Sequence, residues 1–265
     1  MAKFGRVAEL YVKDRVIRYP ELDMRFNIDF DTDSDGNTGE ITVYNLSDKT
    51  IDKLKKGNVF RIKAGYKDNI GLLLNGVIDS STSKFKSGSK ETEIIVNDNM
   101  DAWLKTKINK TWKAGAKTEL IAKDIIDQIP LTLGDFDIPN PLNYSKGKTF
   151  SCTAKKALEE LVKDASVKLH ISRGKIYFRP KDKANREVLT LNKDNGLIAS
   201  PQRIDKESED RWKVQSLLNY RIEPDVILDI ASQTANGLYR VVQGSHVCNA
   251  RDFITEAEVV KYRNK

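Results

Sequence analysis

Histidine occurs only twice in this chain, at His170 and His246, and cysteine only twice, at Cys152 and Cys248. That scarcity removes most of the material from which zinc proteins and nucleophilic enzymes build their sites. Two cysteines in 265 residues fit a reducing compartment, with a single Cys152–Cys248 bridge left open. His246-x-Cys248 with Cys152 and His170 offers four zinc ligands on residue type alone. An H-x-C spacing matches no common zinc module, however, and His170 alternates with Leu169 and Ile171 as an ordinary strand residue does. A G-x-S-x-G elbow, a P-loop and a dinucleotide fingerprint are also missing. No catalytic, cofactor-binding or metal-binding residue is assigned, and an enzyme is not expected. Nor does any apolar run approach the length that a helix needs to cross a bilayer. The N-terminal MAKFGRVAELYV interleaves charges with apolar residues, so it does not read as a secretory signal.

Charge is plentiful instead. Charged residues make up 31% and hydrophobic ones 39%, a balance that supports packed cores beneath a solvated surface. A chain of this length suggests two or three units. The net charge of +7 is unevenly placed. Residues 1–102 hold 16 Lys/Arg and 17 Asp/Glu, residues 103–185 hold 17 and 9, and residues 186–265 hold 12 of each. The basic excess belongs to the middle third, which marks it as a separate domain with an acidic partner worth testing.

The first third reads as β with one short helix. AELYV, MRFNIDF, ITVYNL, VFRIKAGY, GLLLNGVID and ETEIIV alternate in the manner of strands. In VFRIKAGY, for example, Phe60, Ile62, Ala64 and Tyr66 share one face. DKTIDKLKK reads as the helix, with Ser47 as its cap, Lys53, Lys55 and Lys56 in its last turn and Gly57 as its stop. In the middle third, KTELIAKDIIDQI aligns Leu120, Ile121, Ile125 and Ile129 along one helical stripe. Pro130, Pro139 and Pro141 make residues 130–147 a connection. KTFSC, a helix near 154–166, and a VKLHIS/KIYFRP hairpin about Arg173-Gly174 then predict a β-α-β-β unit. WKVQSLLN, VILDIAS and LYRVVQGSHV return the last third to β. The fold class is α+β, mainly β: a β domain over 1–102, an α/β domain over 103–185 and a second β domain over 186–265. Strands this short and numerous predict barrels or sandwiches.

Trp103, Trp112, Tyr144, Phe150, Tyr177 and Phe178 are interleaved with the lysines of the middle third, a combination that binders of single-stranded nucleic acid use. Tyr177 and Phe178 are consecutive in a strand, so only one of them faces a given side, and no recognition motif accompanies them. A solvated Lys-rich surface is the commoner meaning of such a composition. Nucleic acid is therefore the rival partner.

Three phrases in order resemble the tail hub proteins of tailed bacteriophages. The first is GEITVYNLSDKTIDKLKKGNVFRIKAGYKDNIGLLLNGVI, with the turn Asn45-Leu46-Ser47, then Gly57, Ala64-Gly65-Tyr66 and Gly76-Val77-Ile78. The second is NGLIASPQR, and the third is VQSLLNYRIEPDVILDIASQTANGLYRVVQGSHV. The resemblance is clearest over residues 39–79 and 194–247. Two positions depart from it: Asp225 stands where a Gly is usual after Pro224, and Phe253 where a Trp is common. The resemblance implies a homotrimer whose chains each contribute two similar β-barrel domains, giving a ring of pseudo-sixfold symmetry. Such a ring joins a sixfold tail tube to a threefold spike or tip and meets tube, spike or tail-tip, and tape-measure proteins. It implies a place in the virion after assembly in the bacterial cytoplasm.

The stretch DFDTDSDGNTGEITVYNL carries the most ligand-like chemistry, because Asp31, Asp33, Asp35 and Gly36 open as a calcium-binding EF-hand loop does. The twelfth position, where a bidentate Glu belongs, is Thr42, and Glu40 comes two residues early. The flanks alternate as strands rather than helices, so Asp35-Gly36 reads as a hairpin connection. Calorimetry with added calcium is expected to show no saturable heat below the millimolar range; a micromolar site would overturn this reading of the loop.

Overall fold

The computed structural model describes residues 5–32, 36–98, 104–180, 184, 187–206 and 209–263. In chain order the strands begin with β1 (Arg6–Val12), β2 (Arg15–Tyr19), β3 (Met24–Phe30) and β4 (Thr38–Tyr44). Helix α1 (Asp48–Ile51) precedes β5 (Val59–Tyr66), β6 (Asn69–Lys86) and β7 (Ser89–Asn97). The middle of the chain supplies β8 (Lys107–Trp112), β9 (Ala116–Lys117), α2 (Thr118–Ile126), β10 (Thr132–Phe136), β11 (Asn143–Tyr144) and β12 (Lys148–Thr153). It continues with α3 (Ala154–Asp164), β13 (Val167–Ser172) and β14 (Lys175–Pro180). Last come β15 (Val188–Leu191), β16 (Gln202–Lys206), β17 (Glu209–Leu217), β18 (Ile227–Ala231), β19 (Asn236–Cys248) and β20 (Phe253–Lys261). The fold is mainly β, with 57% of the described residues in strands and 11% in helices.

The chain divides into two compact units, and the division differs from the three domains that charge and pattern predict. One unit comprises Met1–Thr32, Asn37–Asn97 and Ala184–Lys265; the other comprises Asp33–Gly36 and Asp98–Lys183. The first and last thirds thus fall in the same unit and share one 13-stranded sheet. Its path runs β16-β17-β20-β19-β3-β4-β7-β6-β5-β1-β2, with β18 on β19 and β15 on β18. The path ends openly at β16 and β2, and no closed barrel is found among the described residues.

Strand β19 explains both the union and the two cores within it. At ~3.3 Å per residue its thirteen residues reach about 43 Å, longer than one small sheet needs. One edge of β19 runs along β20 from Tyr239 to Cys248. Its other edge pairs β18 at Asn236–Arg240 and then β3 at Gly244–Cys248. A bulge lies between, at Val241/Gln243. Before the bulge the odd residues Tyr239 and Val241 are buried; after it the even residues His246 and Cys248 are. One extra residue reverses which parity points inward, so the same strand serves two cores on opposite terms. Leu189, Val214, Ile222, Val226, Leu228, Tyr239, Val241 and Val259 belong to one core. Leu10, Phe26, Ile41, Phe60, Ile62, Leu74 and Ile94 belong to the other, which also takes Leu218, Cys248 and Phe253 from the last third.

Turn chemistry follows the sequence closely here. The Asn45-Leu46-Ser47 turn puts Asn45 at φ +57°, and its side chain accepts the Lys90 amide at 3.1 Å. Asp225 occupies φ +70° after Pro224, which accounts for a glycine preference at such a position. Its buried carboxylate meets Arg240 at 3.1 Å. Helix α1 is shorter than predicted, spanning four residues, and Ser47 makes no side-chain cap to the backbone.

In the second unit, α2 and α3 pack with a three-stranded sheet ordered β10-β14-β13 around Ile121, Ile125, Leu158, Leu161, Ile171, Ile176 and Phe178. The β-α-β-β element order is present, but the KTFSC strand β12 pairs β8 instead of the hairpin that follows α3. The predicted connection 130–147 contains β10, which pairs β14 in parallel, and the short β11. Leu120 leaves the predicted stripe and is 57% exposed. The buried face of α2 is centred on Ile121 and Ile125 and takes in Ala122 and Ile126 instead, which turns Leu120 outward.

Phe253 tests the union of the first and last thirds. It is fully buried, edge-on to Tyr66 with ring centroids 5.5 Å apart and to Phe26 at 6.4 Å. Phe253→Ala is expected to lower unfolding free energy in urea by about 3–5 kcal/mol. A loss below 1 kcal/mol would mean that this ring does not tie the two thirds together.

Candidate functional site

The residues with chemical potential are each spent on packing. In the first unit, His246 is buried, its Nδ1 lies 2.9 Å from Thr255 Oγ1, and its ring packs on Phe30 at 4.9 Å. Cys248, two residues on, lies in the core with its Sγ 3.9 Å from the Met24 carbonyl oxygen. Desolvation pushes its thiol up to about 12, which leaves it a small hydrophobe and not a nucleophile. In the second unit, buried His170 stacks on Tyr177 with centroids 4.7 Å apart and planes 6° from parallel. Cys152 is a free, half-buried thiol on β12. Among the described residues no group of three or more His, Cys, Asp or Glu side chains is placed to hold a metal. No helix among them is long and apolar enough to cross a membrane.

Two other expectations meet their residues here. Asp33 and Asp35 of the acidic loop lie outside the described residues. Thr42, its twelfth position, lies well inside β4, opposite Arg25 on β3 and Glu93 on β7. The β3–β4 pair is antiparallel, as a hairpin connection requires. Of the aromatics proposed to stack on bases, Trp103 is outside the described residues. Trp112, Phe150 and Phe178 are in the core, the first two edge-to-face at 6.0 Å. Lys148 sits 4.9 Å from the Tyr144 ring and 5.3 Å from that of Phe150. It also pairs with Glu160 at 2.6 Å and Asp164 at 3.4 Å. Tyr177 is held between His170 and the Arg179 guanidinium. A cation held by two carboxylates is a structural strut more than a phosphate contact.

Three features escape sequence reading. The first is Asp98, fully buried where β7 leaves the large sheet. Its Oδ1 accepts the Gly174 amide at 2.5 Å, at the Arg173-Gly174 turn, where both residues have positive φ. Its Oδ2 has no hydrogen-bond partner among the described residues. The second is a ribbon. Beyond Ile78, strand β6 pairs only β7, and its residues from Thr82 to Lys86 are exposed. Ser87 and Gly88, both at positive φ, close its tip. The run SSTSKFKSGSK gives the only local signal, a Ser-Gly turn flanked by strand-compatible residues. The third is a groove of about 360 Å³ where β3, β17, β19 and β20 meet in the first unit, lined among others by Asp29, Asp31, Glu256 and Glu258.

No family model matches the chain. No curated protein matches it either. Solved structures do. A 43 kDa tail protein of prophage MuSo2 from Shewanella oneidensis superposes with TM-score 0.73 over 97% of both chains at 8% identity. A tail protein from Neisseria meningitidis gives 0.69 over 97% of both at 10% identity. An E. coli component of the type VI secretion system, described as structurally similar to the T4 bacteriophage tail proteins gp27 and gp5, gives 0.70 at 10% identity. That match covers 96% of this chain and 77% of the other. The chain is folded like these tail proteins along nearly its whole length.

Burial raises the Asp98 carboxyl to about 7, against the lowering effect of the Gly174 and Arg173 amides and the Arg173 charge. Its folded value thus exceeds the unfolded one, the reverse of a salt-bridged carboxylate. Below about pH 4 both states are protonated and nothing is lost. Between about pH 4 and 7 only the unfolded state ionises, so stability falls by up to about 1.4 kcal/mol per pH unit and then levels off. Asp98→Asn keeps an acceptor for Gly174 and is expected to flatten this fall in urea unfolding curves. An unchanged pH profile in the variant would assign the slope to other groups.

Proposed function

We propose that this protein is a structural component of a phage tail or tail-like particle, and specifically its hub. Three copies form a ring in which the two half-sheets of each chain alternate as six similar modules, joining a sixfold tube to a threefold spike or tip. The partners are the protein itself, the tube protein, a spike or tail-tip protein and the tape-measure protein; the place is the virion tail tip or baseplate. The observation that carries this reading is the double core of the large unit. One chain supplies two half-sheets, each centred on a core of its own and joined along β19. A head-to-tail contact between such chains repeats the same junction until the ring closes. The fold shared with tail proteins supports it, as does the use of His246, Cys248 and His170 in packing. The nucleic-acid alternative draws less support, because Trp112, Phe150 and Phe178 are unavailable for stacking on bases.

Light scattering across a concentration series, with and without a short oligonucleotide, separates the two readings. The expected result is a trimer at high concentration or with a tube or spike partner, a monomer being tolerated in dilute solution, and no gain in mass on DNA. A stable twofold dimer that gains mass on DNA, with an affinity that falls steeply with salt, would support the alternative and sink the hub.

A further inference from the structure

We infer that the tip of the β6–β7 ribbon is a tongue that docks into the acidic groove of a second copy of this chain. The inference rests on the ring reading and names the surfaces that make its repeating contact. Residues 84–90, KFKSGSK, place three lysines and no acid around the turn. Phe85 at the tip is 81% exposed, the most exposed large apolar side chain among the described residues. Lys90 stands directly opposite Phe85, 5.9 Å from its ring, and pairs with Asp48 at 2.7 Å, which ties the β7 side of the tongue to the Asn45–Asp48 turn up to its tip. Lys84 has only a long contact to Glu93, at 3.9 Å with both side chains largely exposed. A cationic hairpin end with a bare aromatic ring, on the stretch of β6 whose outer edge pairs no other strand among the described residues, is a surface that a partner covers.

The groove has the opposite character. Asp29 on β3 and Asp31 just past its end face Glu256 and Glu258 on β20, with Gln243, Gly244 and Ser245 of β19 as the floor between them, while Phe30 and Ala257 turn their side chains into the core on the opposite face. Lys213 is the one cation of the lining, 2.9 Å from Glu256, and Arg211 reaches Glu258 at 3.2 Å from outside it. Four carboxylates against one lysine leave the lining net acidic. Its volume of about 360 Å³ admits a phenyl ring flanked by lysine stems.

The occupant is a second copy for two reasons. The exposure of Phe85 shows that the tongue does not fill its own groove. The tongue belongs to the first half-sheet, and the groove, apart from the end of β3, to the second. Tongue to groove is therefore a contact between unlike half-sheets of neighbouring chains, the heterologous contact that generates rings. Complementary charge orients that encounter and rejects the reverse one, tongue against tongue.

The test is a charge-exchange cycle read by sedimentation velocity at concentrations where the wild-type chain forms trimers, alone or with its tube partner. K84E/K86E, D29K/E258K and Phe85→Ser are each expected to weaken trimer formation by about tenfold or more, and the combined charge reversal on one chain to restore most of it. Circular dichroism should stay native throughout, because the tongue residues touch no core. Carbodiimide cross-linking of mixed light and 15N-labelled chains is expected to join Lys84 or Lys86 of one copy to an acidic groove residue of another. Trimers that survive K84E/K86E and Phe85→Ser, with cross-links elsewhere, would overturn the tongue and leave the ring standing. A wild-type chain that stays monomeric at every concentration and with every partner would remove the ring and the tongue together.

Discussion

The edge of β19 is the constraint on which the large unit depends. A strand offers one row of hydrogen-bonding groups per edge, and on this strand one row is divided between β18 and β3. The bulge at Val241/Gln243 makes that division workable, because it reverses the inward parity midway and lets Tyr239 and Cys248 enter different cores. Without the extra residue, one half of the strand would turn its apolar face to water. The two half-sheets therefore keep two cores yet are continuous, with Phe253 entering the first core and Phe30 the second. The junction inside the chain is as firm as any pair of strands within a sheet.

The second unit solves a different problem with the excess of lysine. Several of its cations are tied down over aromatic rings or by carboxylates. Lys148 is held by Glu160 and Asp164, Lys110 by Asp124 at 2.7 Å, and Arg179 by Asp135 at 3.0 Å. Rings that would stack on bases if exposed are the same rings that form its core. Asp98 is the unusual member, a buried acid whose one oxygen closes the β13–β14 turn while the other lacks a partner among the described residues. Burial favours the protonated form of this group, which it holds below about pH 7.

Much of the local structure was legible in advance. Alternation located β3, β4, β5, β13 and β14, and the two-residue turn at Arg173-Gly174 was readable because positive φ at both positions selects few residue types. Ala154, Leu158, Leu161 and Val162 fell on the buried face of α3 as the helical period requires. The misses share a cause. Leu120 is one residue from the true centre of its stripe, and a period places a face only to within a neighbour or so. Strand β10 was hidden in a proline-rich connection because its partner, β14, comes some forty residues later.

The assembly surfaces were the least readable part, and for a general reason. Local sequence determines which side chains share a face, because backbone geometry repeats every two or 3.6 residues whatever surrounds it. It does not determine which of many equally apolar strands lies alongside, since pairing energies differ little and the choice is settled by the whole packed set. The sequence by itself therefore determined that this chain is mainly β, interrupted by a basic α/β segment, and poor in chemical groups. Only the tertiary structure decided that its first and last thirds share a strand. That same decision brought Asp29 and Asp31 beside Glu256 and Glu258, more than two hundred residues away in the chain, and left Phe85 81% exposed.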